Sequence, residues 1–166
     1  MRSRTHVGNK MECPFCTGSF TTASGVTIHL ESGNCPSGMN RQQINEAIRN
    51  LDRNNVATKR MITLPGYGNG QSSMATERSW NGDAYECYIC EREFGALNAL
   101  NQHLASPVHE QKVYHCPKGS CGSEFKLLSG LIAHFESESC GLFRFQQVQR
   151  QARNGVQNMI GRMIRN

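Results

Sequence analysis

The sequence predicts a small α+β architecture built from three ββα units, each stapled by a metal ion. Three observations predict it: a Cys/His pattern that recurs three times, two apolar positions that recur with it, and a composition too polar for one large core. The 166 residues are only 37% hydrophobic and 7% aromatic, with a mean hydropathy of −0.54. Such a chain folds as several small units joined by polar segments. Units of that size need disulfides or metal to hold them.

The recurring pattern uses all eight cysteines and four of the six histidines. The first copy is Cys13-Pro-Phe-Cys16, twelve residues, His29, five residues, Cys35. The second is Cys87-Tyr-Ile-Cys90, twelve residues, His103, five residues, His109. The third is Cys116, four residues, Cys121, twelve residues, His134, five residues, Cys140. Thiolates and imidazoles in sets of four suit tetrahedral zinc. A short gap between cysteines lets a hairpin turn aim both sulfurs at one point. The longer gap returns the chain along a helix whose inner face presents the histidine. The units are thus C2H2-like fingers, the first and third ending in Cys as C2HC variants, with three structural Zn2+ ions as cofactors. Every ligand position is filled by protein, which leaves no open coordination site for catalysis and points away from an enzyme or a small-molecule substrate.

The apolar positions agree. Phe20, Phe94 and Phe125 each follow the second cysteine by four residues, and Val26, Leu100 and Leu131 each precede the histidine by three. These are the two core plugs of a ββα unit. The five-residue final gap is too long for the last ligand to stay on the helix face, so the helix must break before it. Gly33 and Pro107 are the expected breakers in fingers 1 and 2; finger 3 has no such residue. His6 and His115 fall outside the pattern and read as surface residues.

Along the chain, residues 1–10 read as a disordered arm and 11–53 as finger 1 plus a following helix. Residues 54–84, with Pro65, several glycines and serines, read as a flexible linker, with Trp80 a residue that could dock. Finger 2 covers 85–110 and finger 3 covers 114–141, separated by so few residues that the two are expected to be held as a pair. Residues 142–166 read as a basic amphipathic helical tail. The helix after finger 1, Arg41 to Leu51, carries Ile44, Ala47, Ile48 and Leu51 at helical spacing. A similar Gln-Gln-containing segment follows finger 3, and His29-Leu-Glu-Ser parallels His134-Phe-Glu-Ser. A finger-plus-helix module is therefore present twice, flanking a plainer central finger.

Charge is distributed unevenly. Residues 1–141 carry 13 basic and 13 acidic side chains, so the whole excess of +5 lies in the tail, which has Arg144, Arg150, Arg153, Arg162 and Arg165 and no acid. The N-terminus is basic with no apolar run behind it, unlike a secretory leader, and no stretch reaches the ~18 apolar residues of a membrane span. These features predict an intracellular protein, directed to the nucleus, with no membrane partner.

Sequence-reading fingers contact bases from helix positions −1, 3 and 6. Those positions are Thr22, Gly25 and Ile28 in finger 1, Ala96, Ala99 and Gln102 in finger 2, and Leu127, Gly130 and Ala133 in finger 3. Only Gln102, with Asn98 nearby, has the chemistry for base readout. The candidate nucleic-acid contacts are therefore Asn98, Gln102, Lys112 and the five tail arginines. The alternative is a protein partner. In finger 3, Leu128, Ile132 and Phe135 form an apolar stripe that needs covering, either by a partner or by Phe145, Val148, Ala152, Val156, Met159 and Met163 of the tail. The tail itself has three readings that stay open: a phosphate-binding helix, a partner-binding helix, or a cap.

One resemblance extends over most of residues 11–150. Trp80-Asn-Gly82, Tyr85-Glu-Cys-Tyr-Ile-Cys90, Leu100-Asn-Gln-His103-Leu-Ala-Ser-Pro-Val-His109-Glu-Gln-Lys112, His134-Phe-Glu-Ser-Glu-Ser-Cys140 and Arg144-Phe-Gln-Gln-Val148-Gln resemble a family of filamentous-fungal C2H2 finger proteins. The resemblance implies zinc and names no activity. Finger 2 alone, through its histidine gap and Leu104, Ser106 and Lys112, is similar to matrin-type fingers, which implies RNA.

Overall fold

Two-residue strands cannot hold a hairpin by themselves, so each hairpin here exists because a helix and a metal cluster close over it. The computed structural model describes residues 11–59 and 74–163, with the side chains of the last helix described through Gly155. The expected arm at 1–10 lies outside these residues. Finger 1 pairs β1 (Met11–Glu12) with β2 (Ser19–Phe20) and continues into α1 (Ala23–Glu31). The amphipathic α2 (Arg41–Leu51) follows. Finger 2 consists of β3 (Tyr85–Glu86), β4 (Glu93–Phe94) and α3 (Leu97–Ala105). Finger 3 consists of β5 (Tyr114–His115), β6 (Glu124–Phe125) and α4 (Leu128–Glu136), and α5 (Phe145–Met163) follows it.

The chain divides into two units. Fingers 1 and 3, with α2 and α5, form one; finger 2 belongs to the other. Fingers 2 and 3, expected as a pair from their short spacing, are divided between the two units; Val113, Tyr114 and Leu131 form finger 3's own buried cluster, which adjoins the finger 1 cluster. Met11, Ala23, Val26 and Leu30 of finger 1 are buried in one cluster with Ile44 of α2 and Val148 of α5. Leu128, Ile132 and Phe135, the finger 3 stripe, pack into that same cluster. The stripe is therefore partly covered from within the chain, by α1 as well as by α5. Val156, Met159 and Met163, also expected to cover it, lie outside the residues whose side chains are described.

The α1–α4 contact is reciprocal, so the two helices run antiparallel. Glu31, at the end of α1, accepts from the amides of Leu128 (2.8 Å) and Ser129 (3.4 Å) at the start of α4. Glu136, at the end of α4, accepts from the Ser24 amide at the start of α1 (3.2 Å) and from the Ser24 hydroxyl. A carboxylate at a helix N-terminus satisfies open amides and complements the helix dipole. Leu127 gives α4 no side-chain cap of its own, so Glu31 supplies the missing one. Each helix that follows a finger also crosses to the other finger. Asn45 of α2 accepts from the Tyr114 hydroxyl of finger 3 (2.6 Å). Gln149 of α5 accepts from the Ala23 amide of finger 1 (3.0 Å) and donates to Glu136. The duplicated module seen in the sequence is thus an intramolecular pseudo-dimer.

Both described ends of the 54–84 segment are paired rather than free. Thr58 bridges antiparallel to Tyr114, Lys59 N–H donates to the Val113 carbonyl (2.9 Å), and His115 N–H donates to the Ala57 carbonyl (2.9 Å). Residues 57–59 thereby bridge to the outer edge of the two-stranded finger 3 hairpin. The Asp52 carboxylate fixes the approach by accepting from the amides of Val56, Ala57 and Thr58 and from the Thr58 hydroxyl, at 2.8–2.9 Å. At the other end, buried Ala75 packs on Cys87 and Leu100, and its amide donates to Asn101 (2.7 Å). Trp80 bridges to Tyr85 and stacks edge-on against its ring, with centroids 5.0 Å apart. Residues 60–73 lie outside the described residues.

Candidate metal centres

The hairpin and helix of each finger bring its four candidate ligands together. Cys13, Cys16, His29 and Cys35 converge, as do Cys87, Cys90, His103 and His109, and Cys116, Cys121, His134 and Cys140; within each group the donor atoms lie within 4.8 Å of one another. A tetrahedral zinc with Zn–S of about 2.3 Å and Zn–N of about 2.0–2.1 Å sets S···S edges near ~3.8 Å and S···N edges near ~3.6 Å. The Cys13–Cys35 sulfurs are 3.8 Å apart and the Cys116–Cys140 sulfurs 4.0 Å. Cys16–His29, Cys87–His109, Cys90–His103 and Cys121–His134 sulfur-to-Nε2 distances are 3.3, 3.3, 3.4 and 3.4 Å. Donor type, number and spacing all fit three structural zinc ions. Each zinc would tie a hairpin to its helix. A phenylalanine lies against the first histidine ring in every finger: Phe20 on His29 (4.9 Å), Phe94 on His103 (4.8 Å) and Phe125 on His134 (5.2 Å).

Electrostatics split the thiols of the two C2HC clusters. Burial pushes the Cys13 thiol up to about 11. The Ser37 hydroxyl, which donates to Cys35 (3.1 Å), pulls that thiol down to about 6. Finger 3 repeats the division: burial raises the Cys116 thiol, and Ser123 lowers the Cys121 thiol. In finger 2, burial, the neighbouring His109 and Arg92 lower the His103 pKa, which favours the neutral imidazole that a metal ligand requires.

The helix break before the last ligand falls four residues after the first histidine in every finger. Gly33 takes the left-handed backbone there in finger 1 (φ +73°). In finger 2, Pro107 opens a 3₁₀ turn that carries His109. Finger 3 uses Glu138, a non-glycine residue at φ +56°, where the sequence offered no recognisable breaker. Its carboxylate accepts from the Phe145 amide (2.9 Å) and from the Arg144 guanidinium (3.3 Å), so the residue that ends α4 also caps α5.

The candidate nucleic-acid contacts are placed in different surroundings. Asn98 and Gln102 are exposed on α3, and Lys112 is exposed just before finger 3. Arg144 is paired with Glu138. Arg150 and Arg153 are exposed on α5, and the Arg153 Nε–H approaches the Met11 sulfur at 3.3 Å. Arg162 and Arg165 lie outside the residues whose side chains are described. What the sequence reading missed was the role of Glu31, Glu136, Asn45 and Gln149. The signal was present as Ser-Gly-x-x-x-His-x-Glu, shared by α1 and α4 and absent from α3.

No family model matches the chain, and no solved structure matches it significantly. Among curated proteins it is similar to "Zinc finger protein ehn-3" of Caenorhabditis elegans, 28% identical over 54 residues. The match covers 32% of this chain and spans only 21% of that protein's length. The likeness and the three clusters together make this a chain of three C2H2-like zinc fingers.

Proposed function

We propose that this protein is a zinc-built binding module for protein partners, in which fingers 1 and 3 form a scaffold and finger 2 is displayed for recognition. The observation that carries the reading is the antiparallel packing of α1 on α4. The major groove is about 12 Å wide and takes one helix of roughly that diameter. Two helices packed side by side cannot both enter it, and neither can shed the other without exposing the shared core. Finger 2 keeps an open helix face at Asn98 and Gln102, but residues 74–111 carry six acidic side chains against two arginines. Such a charge balance repels phosphate.

A second reading, contact with nucleic-acid backbone through α5, is favoured by the exposed Arg150 and Arg153 in a tail without acid. That contact would be non-specific and salt-steep. The tail is also the segment suited to nuclear import, and the likeness to filamentous-fungal fingers would then describe a shared scaffold.

Titration of the zinc-loaded full chain with random duplex DNA, duplex RNA and single strands across salt tests both readings. The expected result is weak binding, on the order of 10⁻⁴–10⁻⁶ M near physiological salt, abolished by Arg150→Ala with Arg153→Ala. A salt-resistant, sequence-selective complex lost with Gln102→Ala would overturn the protein-binding reading.

A further inference from the structure

Fingers 1 and 3 each carry an amphipathic helix of their own, whereas finger 2 has none. The consequence shows at the zinc knuckle, the turn between the first two ligands. In finger 1 the knuckle residue Phe15 is partly buried in the main core cluster, together with Met39, which leads into α2. In finger 3 the knuckle contributes Lys118, whose ammonium donates to the Cys140 carbonyl. Finger 2 places Tyr88 and Ile89 there, and both are bare: Tyr88 is 64% exposed and Ile89 49%. Val108, beside the ligand His109, is 39% exposed. Each of the three is next in sequence to a ligand of one cluster, whose Cys87 sulfur and His109 Nε2 are 3.3 Å apart.

The surroundings of this face are acidic. Glu86 and Glu91 flank the Cys87–Cys90 turn directly, and Glu91 holds a left-handed backbone (φ +58°). Glu86 and Glu93 are cross-strand partners, a like-charge pairing that costs stability. Between them stands the Asn81 side-chain amide, which donates 3.2 Å to each. Arg92 is the cation of this hairpin.

We propose that the finger 2 knuckle, with Tyr88, Ile89 and Val108, docks a basic amphipathic helix from a partner protein. The helix would stand where finger 1 receives the segment leading into α2. Its apolar face would cover the knuckle and its Lys/Arg flank would meet Glu86, Glu91 and Glu93. The proposal rests on the protein-binding reading above and gives that reading a site and a partner class.

The test uses the zinc-loaded full chain, ¹⁵N-labelled, and two synthetic helical 18-residue peptides that share a leucine face. One carries lysine on its polar face and the other glutamate. The Leu/Lys peptide is expected to shift the amides of Tyr88, Ile89 and Val108. The Leu/Glu peptide should bind at least tenfold more weakly. Tyr88→Ser with Ile89→Ser should lower Leu/Lys affinity at least tenfold while the chain keeps three zincs. Substituting Glu86→Gln and Glu93→Gln together should weaken it without moving the knuckle amides of the free protein. Equal binding of both peptides, or shifts confined to fingers 1 and 3, would overturn the docking face while leaving protein binding elsewhere intact. Concentration-dependent shifts at the knuckle without peptide, with a dimer in sedimentation, would overturn it in favour of a second copy of this chain. Duplex RNA shifting the same three amides would overturn both the docking face and the protein-binding reading.

Discussion

Fingers 1 and 3 and finger 2 share ligand spacing and core plugs, yet they solve different problems. Finger 2 belongs to a unit of its own; its helix has no side-chain cap at the N-cap residue Ala96, and its knuckle side chains Tyr88 and Ile89 are exposed. Fingers 1 and 3 bury Glu31 and Glu136 against each other's helix starts and exchange α2 and α5 across the junction. The metal site sets the local ββα shape in all three. What surrounds it decides whether a finger displays a surface or becomes half of a core.

The comparison breaks most sharply at the metal. A structural zinc supplies about 10–16 kcal/mol of apparent folding free energy, comparable with the whole stability of a domain of about 5–15 kcal/mol. Since Leu128, Ile132 and Phe135 of finger 3 pack into the finger 1 core, Cys16→Ser should cost two zincs and not one. It should also release α5, seen as faster amide exchange around Val148 and Ala152. Cys90→Ser in finger 2 should cost one zinc and leave that exchange unchanged. Elemental analysis after gel filtration reads the difference, and a loss of one zinc from both variants would show that the paired fingers are energetically independent.

The reciprocal carboxylates give the next effect. Glu136 accepts from the Ser24 amide, the Ser24 hydroxyl and the Gln149 amide, while one oxygen of buried Glu31 has no described partner. Removing a buried charged acceptor strands its donors, so Glu136→Ala should destabilise the paired unit by about 3 kcal/mol and Glu31→Ala by about 2 kcal/mol. Urea unfolding with excess zinc would measure both, and finger 2 amide shifts should stay fixed in each. An equal cost would mean that the extra partners of Glu136 contribute little.

A smaller effect tests how the chain leaves the scaffold for finger 2. Burial works to raise the Asp52 pKa, but the amides of Ala57 and Val56, then the hydroxyl and amide of Thr58, outweigh it and hold the carboxyl below its usual range. A depressed carboxylate contributes its full stabilisation above the ordinary value of about 3.9 and loses it as pH falls through the lowered one. At pH 7 Asp52→Asn should therefore show the whole loss, about 1–2 kcal/mol, together with faster exchange of the His115 and Lys59 amides.

The ligands, the core plugs and both added helices were legible because each follows from spacing along one segment. The pairing of finger 3 with finger 1 was not, since Glu31 and Ser129 lie 98 residues apart and a carboxylate near a helix end also reads as a solvated one. Leu128, Ile132 and Phe135 announced a cover without saying that α1 would share it. Residues 57–59 were hidden for another reason. Their bridging depends on the edge offered by Tyr114 and the clamp of Asp52, and Val-Ala-Thr-Lys is too short to announce a strand alone.

The smallest effect lies at the helix-break position, where the three fingers use Gly33, Pro107 and Glu138. Left-handed backbone costs a non-glycine residue about 1–2 kcal/mol, so Gly33→Ala should destabilise finger 1 by about that amount. Glu138→Gly should relieve the same strain in finger 3. It also removes the carboxylate that caps α5, a contribution of about 0.5–2 kcal/mol. The two changes nearly cancel, and the urea midpoint should move by under about 1 kcal/mol. Local exchange should not cancel: the first turn of α5 should open faster in Glu138→Gly and stay protected in Gly33→Ala. A clear gain in stability with α5 still protected would show that the Glu138 bonds to Phe145 and Arg144 do not anchor the helix. The strain at φ +56° would then be the uncompensated cost of ending α4 without glycine.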